Sequence, residues 1–126
     1  MDTPPVYYLF RSDKPTKKYT MLMPSHKHQH YFGSSLHRDY TLIHDKKSKF
    51  YEPDKDKRNK IKDNYLARHK KDPKGVHAPS SMSDIILWSA PTLRGGIRNY
   101  EKKFKVKVIF KDKKLTDSEK DKLMKI

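Results

Sequence analysis

The feature that most constrains the fold is a short apolar run, Ile-Ile-Leu-Trp at residues 85–88, which contains the only tryptophan of the chain. Ser81 and Asp84 lie three residues apart in the pattern of a helical capping box, so we expect a helix to begin at Ser81. Pro91 ends this helix within about two turns, because proline lacks a backbone N–H and disfavours helical geometry at the residue before it. Four consecutive large apolar residues cover more than one face of so short a helix. We therefore predict that it is buried on most sides.

The composition limits the core that can surround this helix. Only 33% of the 126 residues are hydrophobic and 36% are charged, so we expect one small domain with a thin margin of stability. Aromatic residues make up 11% of the chain, and the large area that each one buries favours a folded domain over disorder. The residues predicted to form the core are Phe32, Tyr65, Ile85, Ile86, Leu87, Trp88 and Ile97.

The local patterns predict an α+β fold. Residues 6–10 and 18–23 are rich in β-favouring side chains and flank turn residues, which predicts a β-hairpin. Residues 30–32 and 39–44 predict a third and a fourth strand of a small N-terminal antiparallel sheet. Residues 58–71 predict an amphipathic helix with Ile61, Tyr65 and His69 on one stripe. Thr92 predicts the start of another helix, so we expect two or three short helices after the sheet.

The C-terminal residues have a pattern of their own. Alternating apolar residues from Phe104 to Phe110 predict a strand, and Thr116 with Glu119 predicts a capping box that begins a short helix. The strand needs an edge to pair with, either in its own sheet or in that of a neighbouring protein. We divide the chain into a basic domain, residues 1–104, and a strand–helix arm, residues 105–126, that we expect to bind another protein. The expected contacts of this arm are Phe104, Val106, Val108, Phe110 and Leu123.

The charge of the chain predicts an anionic partner. The formal net charge is +15, which attracts nucleic acid, an anionic membrane surface or an acidic protein. Lysine predominates over arginine and lacks its bidentate geometry, so we expect sequence-independent contacts to a nucleic-acid backbone. The alternative is a solvated lysine surface without a specific partner. The candidate contacts for nucleic acid or an acidic protein are Lys57, Arg58, Lys60, Lys62, Arg68, Lys70, Lys71, Lys102 and Lys103.

No motif predicts catalysis, a metal or a cofactor. The chain has no cysteine, and it contains neither a glycine-rich phosphate loop nor a hydrolase or metalloprotease signature. His26, His28 and His30 would lie in a line along a strand, which favours exposed turn histidines over a metal site. His69 follows Arg68 without an evident nucleophile, so we expect it to pack against its own helix. We also expect no signal peptide, because the N-terminus lacks an apolar run of about 7 residues behind basic residues. We expect no membrane span, because no stretch approaches the ~20 apolar residues required.

Several short motifs occur in the same order as in a known protein family. These motifs are Tyr31-Phe32-Gly33-Ser34, Asp39-Tyr40-Thr41 with His44-Asp45, Tyr65 with Arg68-His69, Leu87-Trp88, and Pro91-Thr92-Leu93 with Ile97. In this order, over residues 6–104, they resemble a family of small basic virion-associated proteins of large nucleocytoplasmic double-stranded DNA viruses (chlorella-virus, mimivirus and iridovirus relatives). The chain departs from that pattern at Gly95-Gly96 and after Phe104.

The resemblance implies a viral setting. It implies a non-enzymatic virion structural protein, a minor capsid or capsid-lining component that is oligomeric within an assembly. Its partners would be other virion proteins, above all the major coat protein, and packaged double-stranded DNA. Its location would be the virion, and the host cytoplasm or nucleus during assembly. The alternative is a sequence-independent nucleic-acid-binding protein in viral genome packaging or replication, and a nuclease that uses Asp39, Arg68 and His69 is less favoured.

Overall fold

A mixed four-stranded sheet organises the part of the chain that the computed structural model describes, residues 3–125. Its strands are β1 (Val6–Arg11), β2 (Lys17–Met23), β3 (His28–Ser34) and β4 (Lys107–Lys114). The spatial order is β3-β2-β1-β4, in which the first three strands pair antiparallel and β4 runs parallel to β1. The predicted α+β class, with an N-terminal sheet and a C-terminal strand and helix, is confirmed.

The described residues also contain five α-helices, and a side chain caps the N-terminus of each of the three longest. They are α1 (Tyr40–Ile43), α2 (Lys55–Arg68), α3 (Pro79–Met82), α4 (Leu93–Phe104) and α5 (Asp117–Met124). Asp54 caps α2, and Thr92 caps α4 by accepting the Gly95 N–H. Thr116 and Glu119 form the predicted reciprocal box at α5. A 3-10 turn (Pro24–His26) precedes β3, and a π-helical segment (Ser83–Leu87) continues α3.

Two local predictions are wrong, one because of a side-chain hydrogen bond and the other because of a proline. Residues 39–44 do not form a fourth strand, since Asp39 caps α1 by accepting the Leu42 N–H at 2.9 Å. The helix of the apolar run begins at Pro79 and not at Ser81, because proline is well suited to a first helical turn, where no N–H is needed. The Ser81 hydroxyl instead accepts the Gly75 N–H at 2.9 Å.

The main core lies between one face of the sheet and helices α2 to α4. Of the seven predicted core residues, Ile85 is partly buried and the other six are buried. Tyr65 stacks on Trp88 with ring centroids 4.1 Å apart and planes inclined by 8°. α4 lies close to the π-helical segment at Gly96, where a Cβ would overlap the Ile86 carbonyl. This contact requires glycine, and α4 continues as an α-helix through both Gly95 and Gly96.

The C-terminal segment belongs to the same sheet as the N-terminal strands. β4 pairs with β1 from Val6 onward, and α5 covers the second face of the sheet, where Leu123 packs against the buried Tyr8 and Phe10. Val106 and Val108 are buried in the main core, and Phe104 and Phe110 pack against it. The burial of Val106 and Val108 corrects the expectation that these two side chains bind another protein, whereas a partner contact by the partly buried Phe104, Phe110 and Leu123 stays a prediction. The predicted boundary at residue 104 separates β4 from the other three strands of the same sheet. Residues 1, 2 and 126, which belong to the two predicted units, lie outside the described residues.

Candidate functional site: a cationic cleft beside helix α2

A cleft of about 670 Å³ lies between the end of β3, the residues 36–39 that follow it, and the C-terminal half of α2. Leu87 and Trp88 contribute from the π-helical segment and the residue after it, while Phe50 and Ile61 add apolar lining. A concave surface of this size, mostly apolar with a few convergent polar groups, is typical of a binding site.

The cleft carries more positive than negative charge. Its fully charged side chains are Lys17, Lys18, Arg38, Arg68, Asp39 and Asp72. Both carboxylates already have partners: Asp39 Oδ2 lies 2.7 Å from Lys18 Nζ, and Asp72 Oδ2 lies 2.6 Å from His69 Nδ1. Within residues 3–125, Lys17, Arg38 and Arg68 form no ion pair. An anion that enters the cleft therefore meets uncompensated positive charge.

One wall of the cleft is an aromatic column. Tyr65 lies between Trp88 and His69, with 4.4 Å between the Tyr65 and His69 ring centroids. The Tyr65 hydroxyl donates to Asp84 Oδ1 at 2.8 Å, and burial raises the pKa of Tyr65 well above its ordinary value. Asp72 accepts the His69 N–H, a partner that the sequence analysis did not identify although it lies only three residues away. The stacked rings and these two hydrogen bonds hold the wall in place beside the cleft.

Two of the nine predicted cationic contacts have internal roles. Arg58 is half-buried and donates from Nη1 to the Glu52 carbonyl at 3.2 Å. Lys62 is half-buried with its Nζ 4.6 Å from the Tyr40 ring centroid, a cation–π contact between α2 and α1. These contacts fasten α2 to the segment before it, and binding of a partner by these two side chains stays a prediction.

The other seven predicted contacts are exposed, and three of them form one stripe. Lys57, Lys60 and Arg68 recur at i, i+3 and i+11, which places them along one side of α2. Among the described residues none of the three forms an ion pair. Arg68 also lines the cleft, so this α2 stripe (Lys57, Lys60, Arg68) leads into it. Lys70 and Lys71 follow α2, whereas Lys102 and Lys103 belong to the last turn of α4.

Sequence reasoning missed the cations that reach the cleft from the sheet. Lys17 is the register partner of Ser34, so the β2–β3 pairing carries it to the cleft. Arg38 arrives from the connection between β3 and α1. Neither belongs to one of the lysine-rich clusters; the strand register would have indicated the position of Lys17, and the course of the β3–α1 connection that of Arg38.

Four histidines gather at the start of β3, away from the cleft. His77, from the loop before α3, lies against His26, His28 and His30, with ring centroids 4.3, 6.3 and 6.4 Å away, respectively. Burial, and then the neighbouring histidines, lower the pKa of His30 and of His77, which keeps both rings neutral near pH 7. In their present positions, no three histidine or acidic side chains of residues 3–125 converge as metal ligands. The sequence pattern groups the first three histidines but not His77, which lies far from them along the chain.

Comparisons with known proteins identify no relative of this chain. No family model, curated protein or solved structure matches the chain. Every helix within residues 3–125 is too short or too polar to cross a bilayer. The resemblance to viral proteins consequently depends on the ordered motifs alone, and the functional argument depends on the geometry of the cleft and the α2 stripe.

Proposed function

We propose that this protein is a non-enzymatic nucleic-acid-binding protein that contacts the phosphate backbone, independently of sequence, through the α2 stripe and the cationic cleft. One observation carries the proposal. The exposed cations of the stripe have no acidic partners among the described residues, and they lead into a cleft whose two carboxylates are already paired. Phosphates that bind there displace water and counterions without breaking an internal ion pair.

The chemistry of the stripe favours phosphate over base recognition. Two of its three cations are lysines, which act as hydrated point charges. From Lys57 to Arg68 the helix rises roughly 16 Å, at 1.5 Å per residue. That length corresponds to about five base-pair steps of duplex DNA, whose phosphates follow every 3.4 Å along each strand. A straight row of point charges of this length fits a backbone and carries no information about base identity.

A charge-neutralised variant tests the proposal. The triple variant K57Q/K60Q/R68Q should lower the affinity for a fluorescent DNA duplex by at least about tenfold in anisotropy titrations at low salt. The matched control is K114Q/K122Q/K125Q, which removes the same charge from exposed positions at the end of β4 and on or after α5. Equal losses in the two variants would show that only net charge matters and would remove the α2 stripe from the proposal.

We propose, as a second candidate, a role as a minor capsid or capsid-lining component with coat protein as partner. Of the five residues first assigned to that contact, two are buried and three are partly buried against the chain's own core, so we consider a more exposed surface. Leu36, whose side chain is 76% exposed, lines the cleft with Phe50 and supports a protein contact there. In purified particles, L36S should reduce incorporation, and normal incorporation would count against this candidate.

A further inference from the structure

The histidine cluster of His26, His28, His30 and His77 is used neither by the core nor by the proposed nucleic-acid surface. Sequence alone places three histidines in a row, which suits a metal ion poorly. The fold changes this arrangement, because His77 arrives from a different element and sits opposite the strand. The cluster is therefore no longer linear.

The spacing of three of these rings is close to that of a metal site. His28 and His30 are two residues apart on β3 and lie on one face of the strand. The ring centroids of His28, His30 and His77 are 5.9, 6.3 and 6.4 Å apart, a nearly equilateral triangle. Since metal–nitrogen bonds are about 2.0–2.1 Å, rings that share one ion have centres roughly 5–6 Å apart. Side-chain rotation and a small contraction would bring the three nitrogens together.

The surroundings of two ring nitrogens favour the binding of a ligand. His30 Nε2 is buried and has no hydrogen-bond partner within the described residues, which is costly unless something binds it. His77 Nδ1 lies 3.2 Å from the sulfur of the buried Met23. With its Nδ1–H donated to that sulfur, His77 keeps its lone pair on Nε2, the arrangement that an outer hydrogen bond gives to a metal-bound histidine.

We propose that His28, His30 and His77 bind one divalent transition-metal ion of the zinc, nickel and copper class, with His26 as a fourth ligand. Imidazole nitrogens suit these ions, whereas magnesium and calcium require oxygen ligands that the cluster does not contain. His26 and His28 are exposed, so an ion can reach the cluster from solvent. The bound ion would join the loop before α3 to the start of β3. This proposal does not depend on the proposed function.

Calorimetric titration of the chelator-treated full chain with zinc chloride tests the site. We expect one ion per chain, and a loss in affinity of about tenfold or more in H28Q and in H77Q. H44Q, which removes a histidine outside the cluster, should bind like the unaltered protein. Because His77 contacts the buried Met23, H77Q is checked for folding, and the exposed H28Q decides the outcome if H77Q does not fold. Cobalt(II) should give the intense visible absorption of a tetrahedral site. Absence of saturable zinc uptake, or equal affinity in H28Q, would overturn the proposal.

Discussion

At the scale of single residues, Gly96 sets how closely two parts of the main core approach. A side chain there would enter the space of the Ile86 carbonyl, and backbone cannot move aside as the end of a flexible side chain can. The neighbouring Gly95 is less constrained, since its Cβ would lie 3.0 Å from Ala90 Cβ and 3.1 Å from Thr92 Oγ1. The two adjacent glycines therefore differ sharply in what they tolerate.

Gly96→Ala should lower the free energy of unfolding by about 3 kcal/mol or more, as expected when a packed core is forced apart. Helix propensity alone predicts the opposite sign, a gain of about 1 kcal/mol for alanine over glycine. Gly95→Ala is the matched variant, and we expect it to lose clearly less. Urea denaturation of the three proteins measures the difference, and a Gly96→Ala variant as stable as the unaltered chain would refute this packing.

Two carboxylates near α5 should make stability depend on pH. Hydrogen bonds from the Thr116 N–H and from Lys113 lower the pKa of Glu119, and bonds from Tyr31 and Lys120 lower that of Asp13. Because both pKa values are lower in the folded state, the unfolded chain binds protons first. Their contribution is therefore present at neutral pH and is lost as the pH falls from the ordinary carboxyl value through the lowered one.

Thermal unfolding between about pH 7 and pH 3 should show this loss, and it should be shallower in D13N/E119Q. D121N is the control, because Asp121 is exposed and makes no side-chain hydrogen bond or ion pair within residues 3–125. If D13N/E119Q and the unaltered protein follow the same pH profile, these bonds do not stabilise the fold.

At the scale of elements, β4 and α5 act as parts of one domain. β4 supplies the pairing that one edge of β1 needs, and α5 shields the second sheet face, where Tyr8, Phe10 and Leu22 are buried. Lys120 adds a contact 3.3 Å long to Asp13 in the β1–β2 turn. The exposed edge of β4 ends in Asp-Lys-Lys, and such charge at a sheet edge discourages a further strand from pairing.

A chain that ends at residue 104 should consequently fail to fold, because it leaves β1 half-paired and exposes the second face of the sheet to water. Far-UV circular dichroism and amide NMR dispersion would show the loss. A chain that ends at residue 116, which keeps β4 and removes α5, should be folded but less stable. A folded, soluble residue 1–104 fragment would instead support an independent C-terminal arm.

At the scale of the whole molecule, periodic patterns in the sequence predicted most helices and strands. They did not predict the contacts between residues that are distant in sequence. The hairpin, the stripe of Ile61 and Tyr65, and the box at Thr116 depend on neighbours in sequence, so the sequence indicates them directly. The strand predicted for residues 39–44 was wrong, because the helix cap that Asp39 forms outweighs the β-favouring residues that follow it. Lys17 and His77 joined their sites through strand register and loop docking, for which no local signal exists.

The same contrast applies to the charged surface. Composition predicted a polyanion partner, but it could not separate Lys57, which is exposed, from Arg58 and Lys62, which are engaged inside the molecule. Burial and internal contacts made that separation, and the helical phase of the remaining exposed cations left the α2 stripe. We propose that this stripe binds phosphates without reading the bases between them.

The salt dependence of DNA binding tests that claim most directly. Affinities for two duplexes of unrelated sequence, measured over a series of salt concentrations, should agree within a few-fold and fall linearly on logarithmic axes. In K57Q/K60Q/R68Q the slope should become shallower by about 3, roughly one for each phosphate contact removed, while K114Q/K122Q/K125Q keeps the original slope. Absence of binding at low salt, a strong preference for one duplex, or an unchanged slope in K57Q/K60Q/R68Q would refute phosphate binding by the α2 stripe.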